Sequence, residues 1–246
     1  MPAITGPRFL TTGDLRDTMN LEVPVIGSRV ETLDGRMYRA MEVGAVALVK
    51  GNLLQGPANV TGHTNRVIGD AAAAGDRVFT FDSASNGATA NDYAGGYAVC
   101  SDAAGEGIAY HISGHATWAA TDASVRINID DPLETALTAD TSEVSLHSIW
   151  RNVIQNPTAA TNVAVGVADV AYAINDIFWG CVWGVTSVLQ EMSGAASVIG
   201  GGLVPSDTSA GAVEITAQGV TALQEIGRAM IVGVDEEHNA VFLTIG

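Results

Sequence analysis

The sequence predicts a mainly β protein, a β-barrel or β-sandwich body preceded by an extended N-terminal arm. Three observations predict it. Short apolar or alternating runs recur at the roughly 8–12-residue spacing of sandwiches and barrels. Glycine is abundant, at 28 residues against 7 prolines, which suits a chain with many tight turns. Helix signals are few: Ala71–Ala74 runs straight into Gly75, and only Asp14–Asn20, with Thr12 or Asp14 as cap, has the makings of a short helix.

The first forty residues differ from the rest. Residues 1–40 hold Pro2, Pro7 and Pro24 and five arginines, Arg8, Arg16, Arg29, Arg36 and Arg39. Leu10, Leu15, Met19, Leu21, Val23, Val25 and Ile26 are too apolar for a solvated tail. This segment is expected to be an arm that packs on something else.

Residues 41–150 are expected to form a β domain. Val43–Val49 is an apolar run closed by the turn cluster Lys50-Gly51-Asn52. Arg77–Phe81 alternates and enters the loop Asp82–Gly87. Tyr97–Cys100 and Gly107–Ile112 read as a hairpin around Ser101–Glu106. Val125–Ile129 alternates cleanly, with Val125, Ile127 and Ile129 inward and Arg126 and Asn128 outward, until Asp130-Asp131-Pro132 stops it. Glu143–Leu146 is a further strand.

A polar connection at 150–162 is read as a soft boundary, and 163–246 as a second β domain or a continuation of the same body. Its expected strands are Val163–Val167, Val170–Ile174, Ile177–Val188, Val213–Thr216, Ile226–Val234 and Val241–Ile245. Within Phe178–Gly184 the glycines allow close approach of backbone or rings. No repeat stands out at a fixed period, which argues against a solenoid.

Composition narrows function. Only 15% of residues are charged, a sparse surface of the kind that meets other proteins. Net charge is −16 and Lys50 is the sole lysine, so attraction to nucleic acid or to an anionic membrane is disfavoured. The N-terminus lacks a basic stretch followed by an apolar run, so no signal peptide is read there, and synthesis in the cytoplasm is expected. The densest apolar stretch, Ala164–Val188, is broken by Asp169, Asn175 and Asp176. Cys100 and Cys181 are either two buried thiols or one long-range disulfide.

No catalytic, cofactor or metal site is expected. His111 and His115 stand four apart near Glu106, but no Glu follows the first His and Gly114 intervenes; two polar positions at a strand end is the plainer reading. Asp130, Asp131 and Glu134 with Asp122 and Asp140, and Asp82, Asn86, Asn91 and Asp92, are acidic clusters without the spacing of a calcium loop. No Gly-x-Ser-x-Gly occurs, and no Lys follows Gly200-Gly201-Gly202. The aromatics Tyr93, Tyr97, Tyr110, Trp118, Trp150, Trp179 and Trp183 could line a sugar groove, anchor an interface or fill a core.

Several phrases occur together: Leu33–Arg39 leading into Val43–Gly51, then Asn91–Tyr97, Gly105-Glu106-Gly107, Asp131-Pro132-Leu133 with Ala136-Leu137, Ile226–Ala229 and Val241–Ile245. From about residue 30 to the end, this ensemble is similar to head-associated structural proteins of tailed bacteriophages, which decorate or cement a capsid. The resemblance rests on the order of small-residue turns. It implies a non-enzymatic protein on the outside of a virion, a homo-oligomer, often a trimer, seated over junctions of the major capsid protein. The arm would then grip a neighbour through Phe9, Leu10, Leu21 and Val25, with Arg8, Arg16, Arg29, Arg36 and Arg39 pairing acidic groups on the partner. The alternative is a phage tail or fibre component that binds carbohydrate through its aromatics.

Overall fold

The computed structural model describes residues 24–192, 197–216 and 224–245, together with the backbone of Phe9–Leu10. It is mainly β, with barrel-like sheets. The one helical element among the described residues is a 3-10 turn at Thr61–His63. Two compact units are present: residues 58–151 form one, and 1–57 with 152–246 form the other. Residues 41–57 thus group with the C-terminal part of the chain.

The discontinuous unit begins with β1 (Phe9–Leu10), β2 (Arg29–Thr32), β3 (Met37–Glu42) and β4 (Leu53–Gln55). The inserted unit holds β5 (Arg66–Val67), β6 (Val78–Phe81), β7 (Tyr97–Asp102), β8 (Ala109–His115), β9 (Val125–Ile129) and β10 (Glu143–His147). The chain then returns through β11 (Ile154–Gln155), β12 (Ala164–Val167), β13 (Ile177–Gln190), β14 (Gly202–Pro205), β15 (Val213–Ile215), β16 (Gly227–Ala229) and β17 (Glu237–Thr244).

In the inserted unit the strand order is β5-β10-β7-β8-β9-β6. Ile68 bridges Phe81, and Gly69 N–H donates to Thr80 O at 3.0 Å, so the end of β5 meets β6 and the sheet closes on itself. Closure removes the free edges of a flat sheet. The period-2 pattern then fills the interior. Phe79 and Phe81, Ala98 and Cys100, Tyr110 and Ile112, Val125, Ile127 and Ile129, and Val144 and Leu146 form one buried cluster. Each large side chain there contributes about 1.5–3 kcal/mol of burial. The expected hairpin is present, with Tyr97 opposite His111 and Val99 opposite Ala109.

In the discontinuous unit β13 is the axis. Its first half pairs with β3, from Ile177–Glu42 to Trp183–Met37; its second half pairs with β17, from Trp183–Thr244 to Gln190–Glu237. Gly184 lies at the changeover with φ 95°, a backbone state that L-residues rarely adopt. From β13 the ring runs through β15, β14, β16 and β17 back to β13, closed by the parallel pair Gln190–Val213. Leu203, Val213, Ile226, Val241, Leu243 and Val188 are buried inside.

A local motif recurs in both units. In segments 48–52, 72–76, 88–92, 118–122, 137–141 and 172–176, the fourth residue has positive φ: Gly51, Gly75, Asn91, Thr121, Asp140 and Asn175. The fifth N–H donates to the second carbonyl, as in Asp76 to Ala73 (3.1 Å) and Asp176 to Ala173 (3.2 Å), the pattern of a type II turn. Four of these turns carry Asp in fifth place, and its carboxylate accepts the N–H of the second residue: Ala73–Asp76, Thr89–Asp92, Ala119–Asp122 and Ala173–Asp176, at 2.8–2.9 Å. The turns pair through their first residues, Leu48 with Tyr172, Ala72 with Leu137 and Ala88 with Trp118.

Three sequence expectations are corrected, the first two where these turns fall. Val43–Val49 is not a strand, since only Val43 and Leu48 make isolated bridges. Val170–Ile174 is likewise a loop with a single bridge at Tyr172. Of Ile226–Val234 only Gly227–Ala229 is strand. The reason is common to all three: Val46, Val49, Ile174, Ile231, Val232 and Val234 are exposed, so the apolar run is not a buried strand face. Ala71–Ala74 is part of a turn, with no helix, and Asp14–Asn20 lies outside the described residues.

Candidate functional site

Beside Gly184 of β13 lies the most elaborate polar arrangement of the discontinuous unit. With no side chain on Gly184, Arg36 packs there; a Cβ on that glycine would stand 2.8 Å from Arg36 Cγ. The Arg36 guanidinium lies 5.8 Å over the Tyr38 ring and 3.9 Å from the Asp169 carboxylate. Asp169, just past β12, is 5% exposed. It accepts hydrogen bonds from Tyr38 Oη (2.9 Å) and Thr186 Oγ1 (3.1 Å). A buried carboxylate needs such donors, because its own desolvation is costly. Arg36 also holds Asp34 at 2.8 Å, and the hydrogen bonds from Arg36 and then Thr32 bring the Asp34 carboxyl down to about 2.

Burial, and then the negative charge of Asp169, push the Tyr38 phenol well above its ordinary value. The same two causes push the Cys181 thiol up to about 12. Cys181 is therefore a protonated, buried thiol with no activation as a nucleophile. Cys100 is also buried and free, and burial raises it.

A cleft of about 380 Å³ opens over this group, lined by Arg36, Lys50, Gly51, Asp169, Thr186, Ser187 and His238. Lys50 and Gly51 come from the turn at 48–52. Gly51 has φ 73°, and a Cβ there would collide with the His238 imidazole, so the turn and the seating of His238 both require glycine. His238 Nε2–H donates to Lys50 O at 3.2 Å.

A second feature of this unit is apolar. Loops 197–201 and 229–234 are tied together: Gly200 N–H donates to Ala229 O, Ala229 N–H to Gly201 O, Gly233 N–H to Ser197 Oγ, and Ser197 Oγ to Ile231 O. They expose Val198, Ile199, Met230, Ile231, Val232 and Val234, with Ile199 at 67% and Val232 at 61%. Asp235, Glu236 and Glu237 follow directly and are exposed.

The arm residues fare unevenly. Arg8, Arg16 and Leu21 lie outside the described residues. The backbone of Phe9–Leu10 pairs in parallel with Glu31–Thr32, adding a strand beside β2. Val25 is 78% exposed, and Arg29 is exposed on β2 opposite Arg39.

The acidic and histidine clusters do local work. Asp92 and Asp122 close turns, Asp82 pairs with Arg66 at 3.7 Å, and His111 pairs with Asp130. His115 does not face solvent at a strand end; it is buried among Tyr93 and Trp118. Tyr93, Tyr110 and Trp118 are core residues. Among the described residues no three His, Cys, Asp or Glu side chains converge as a metal would need, and no helix is long and apolar enough to cross a membrane.

Residue-type reasoning missed the Tyr38–Asp169–Thr186 group and the cleft. Two signals pointed there: an aspartate interrupting the apolar stretch 164–188, and the position of the single lysine. Compared with protein-family models, curated proteins and solved structures, the chain matches none.

Proposed function

We propose that this is a non-enzymatic structural protein of a tailed-bacteriophage head, which decorates and stabilises the capsid by bridging major capsid subunits. It works as a homo-oligomer, a trimer by the resemblance stated above, on the outside of the virion after synthesis in the host cytoplasm. It needs no cofactor and binds neither nucleic acid nor membrane.

The observation that carries this reading is the pair of joined apolar loops around Ile199 and Val232. Six large apolar side chains exposed on adjoining loops are more than scattered surface residues, and patches of this kind mark protein contacts. Copies that each carry −16 repel one another, so an uncharged face is where two copies approach at least cost. Of the five arginines of the arm, Arg36 is held by Asp34 and Asp169 and Arg39 donates to Gly27 O; Arg8, Arg16 and Arg29 supply the complementary charge for the major capsid protein. Each copy then holds the shell through several contacts, and linked contacts bind far more tightly than any one alone.

Size-exclusion chromatography with light scattering tests the self-association. The wild-type chain is expected as one discrete oligomer, and Ile199→Asp with Val232→Asp as a folded monomer. A wild-type monomer contradicts the reading, and so does a double variant that assembles like the wild type.

A further inference from the structure

We propose that the cleft lined by Arg36, Lys50, Thr186, Ser187 and His238 is a binding site for a small oxyanion, a carboxylate or phosphate group, with Lys50 as its principal charge. This goes beyond the structural role above and does not depend on it.

Charge is the first argument. The chain is strongly acidic, with only 11 basic residues in 246, yet this cleft gathers an arginine, the sole lysine and a histidine. The one carboxylate in the lining, Asp169, is already occupied: Tyr38 and Thr186 donate to it and Arg36 stands 3.9 Å away. Arg36 thus answers both Asp34 and Asp169, and the lining cation left to meet a ligand is Lys50. Among the described residues no carboxylate lies within 4.0 Å of Lys50, an exposed residue. A lysine without a carboxylate partner, at the mouth of a concavity, is a ready phosphate or carboxylate ligand.

Shape is the second argument. A volume of about 380 Å³ sits at the small end of ligand sites, which run to roughly 1,000 Å³. The floor is preorganised. Arg36 is fixed by Asp34, Asp169 and the Gly184 gap, and His238 is fixed against Gly51 with Nε2–H on Lys50 O. A site whose donors are already held in place loses little entropy on binding.

Isothermal titration calorimetry on the full chain at low ionic strength, with inorganic phosphate and separately with citrate, tests this. Saturable binding of at least one probe is expected. Lys50→Ala should weaken it about tenfold, the scale of one charge-assisted hydrogen bond, and Lys50→Arg should largely restore it. Phosphate alone, citrate alone or both would tell which oxyanion the site takes. Because Lys50 is exposed, the variant should melt like the wild type. No saturable heat with either probe, or equal affinity in wild type and Lys50→Ala, overturns the proposal.

Discussion

His115 accepts a 3.0 Å hydrogen bond at Nε2 from the backbone N–H of Tyr93, while its Nδ1–H donates to Ala116 O at 2.8 Å. Both ring nitrogens are thus committed in the neutral form. A proton on Nε2 would set donor against donor at the barrel core. His63 beside it is similar: Nε2–H donates to Asn86 O at 2.7 Å, and Nδ1 meets the Tyr93 hydroxyl at 2.6 Å. Trp118 packs on both rings.

The inserted barrel should therefore be acid-sensitive. Burial, the largest cause, lowers both histidines below their ordinary 6.5; around His115, Asp92 opposes this while His63 and Arg151 add to it. The unfolded chain takes up these protons near 6.5 and the folded chain does not. Their contribution is present above pH 6.5 and is lost as pH falls below it. The melting temperature, followed by tryptophan fluorescence, should fall from about pH 7 to about pH 5, and less steeply in His115→Gln. A melting temperature that is flat across this range contradicts the assignment.

At the alkaline end the sign reverses. Cys181 is raised from 9.0 to about 12, so its contribution is present below pH 9 and is lost as pH rises towards 12. Cys100 and Cys181 lie in different units, and both are free and buried. Ellman's reagent should find no reactive thiol in the native protein and both thiols in denaturant. A native chain that reacts at once, or an unreduced denatured chain with none to titrate, contradicts this.

The recurring turn makes a prediction of opposite signs at neighbouring positions. Thr121 is β-branched and sits at φ 78°, a strained state for such a residue. Thr121→Asn should stabilise by about 1 kcal/mol, a rise of roughly 2–4 °C in melting temperature. Asp122→Ala removes the acceptor for Ala119 N–H and should cost about 1 kcal/mol. Thermal melts of the two variants check both; equal shifts in one direction would refute the turn analysis.

Much of the barrel was legible because alternation reports burial. Val125, Ile127 and Ile129 point inward and Arg126 outward, as the pattern of the strand requires. The hairpin at 97–112 and the long strand from 177 were equally plain. The apolar runs at 43–49, 170–174 and 230–234 misled, because their side chains are exposed at turns and loops. The six turns are hard to read as a repeat because their spacing is irregular, the positive-φ position is met by Gly, Asn, Asp or Thr alike, and only four of them end in Asp. The Tyr38–Asp169 contact joins residues 131 positions apart, and nothing local announces it. The joined loops around Ile199 and Val232 were hidden for the same reason, since their adjacency depends on strand pairing.

The most direct test of the proposed role is co-sedimentation of the purified full chain with undecorated heads of a tailed bacteriophage. The account predicts that the protein pellets with the heads, saturates at a fixed ratio to the major capsid protein, and raises the temperature at which the heads open. A chain that stays in the supernatant at every concentration, leaving the heads as fragile as before, contradicts it.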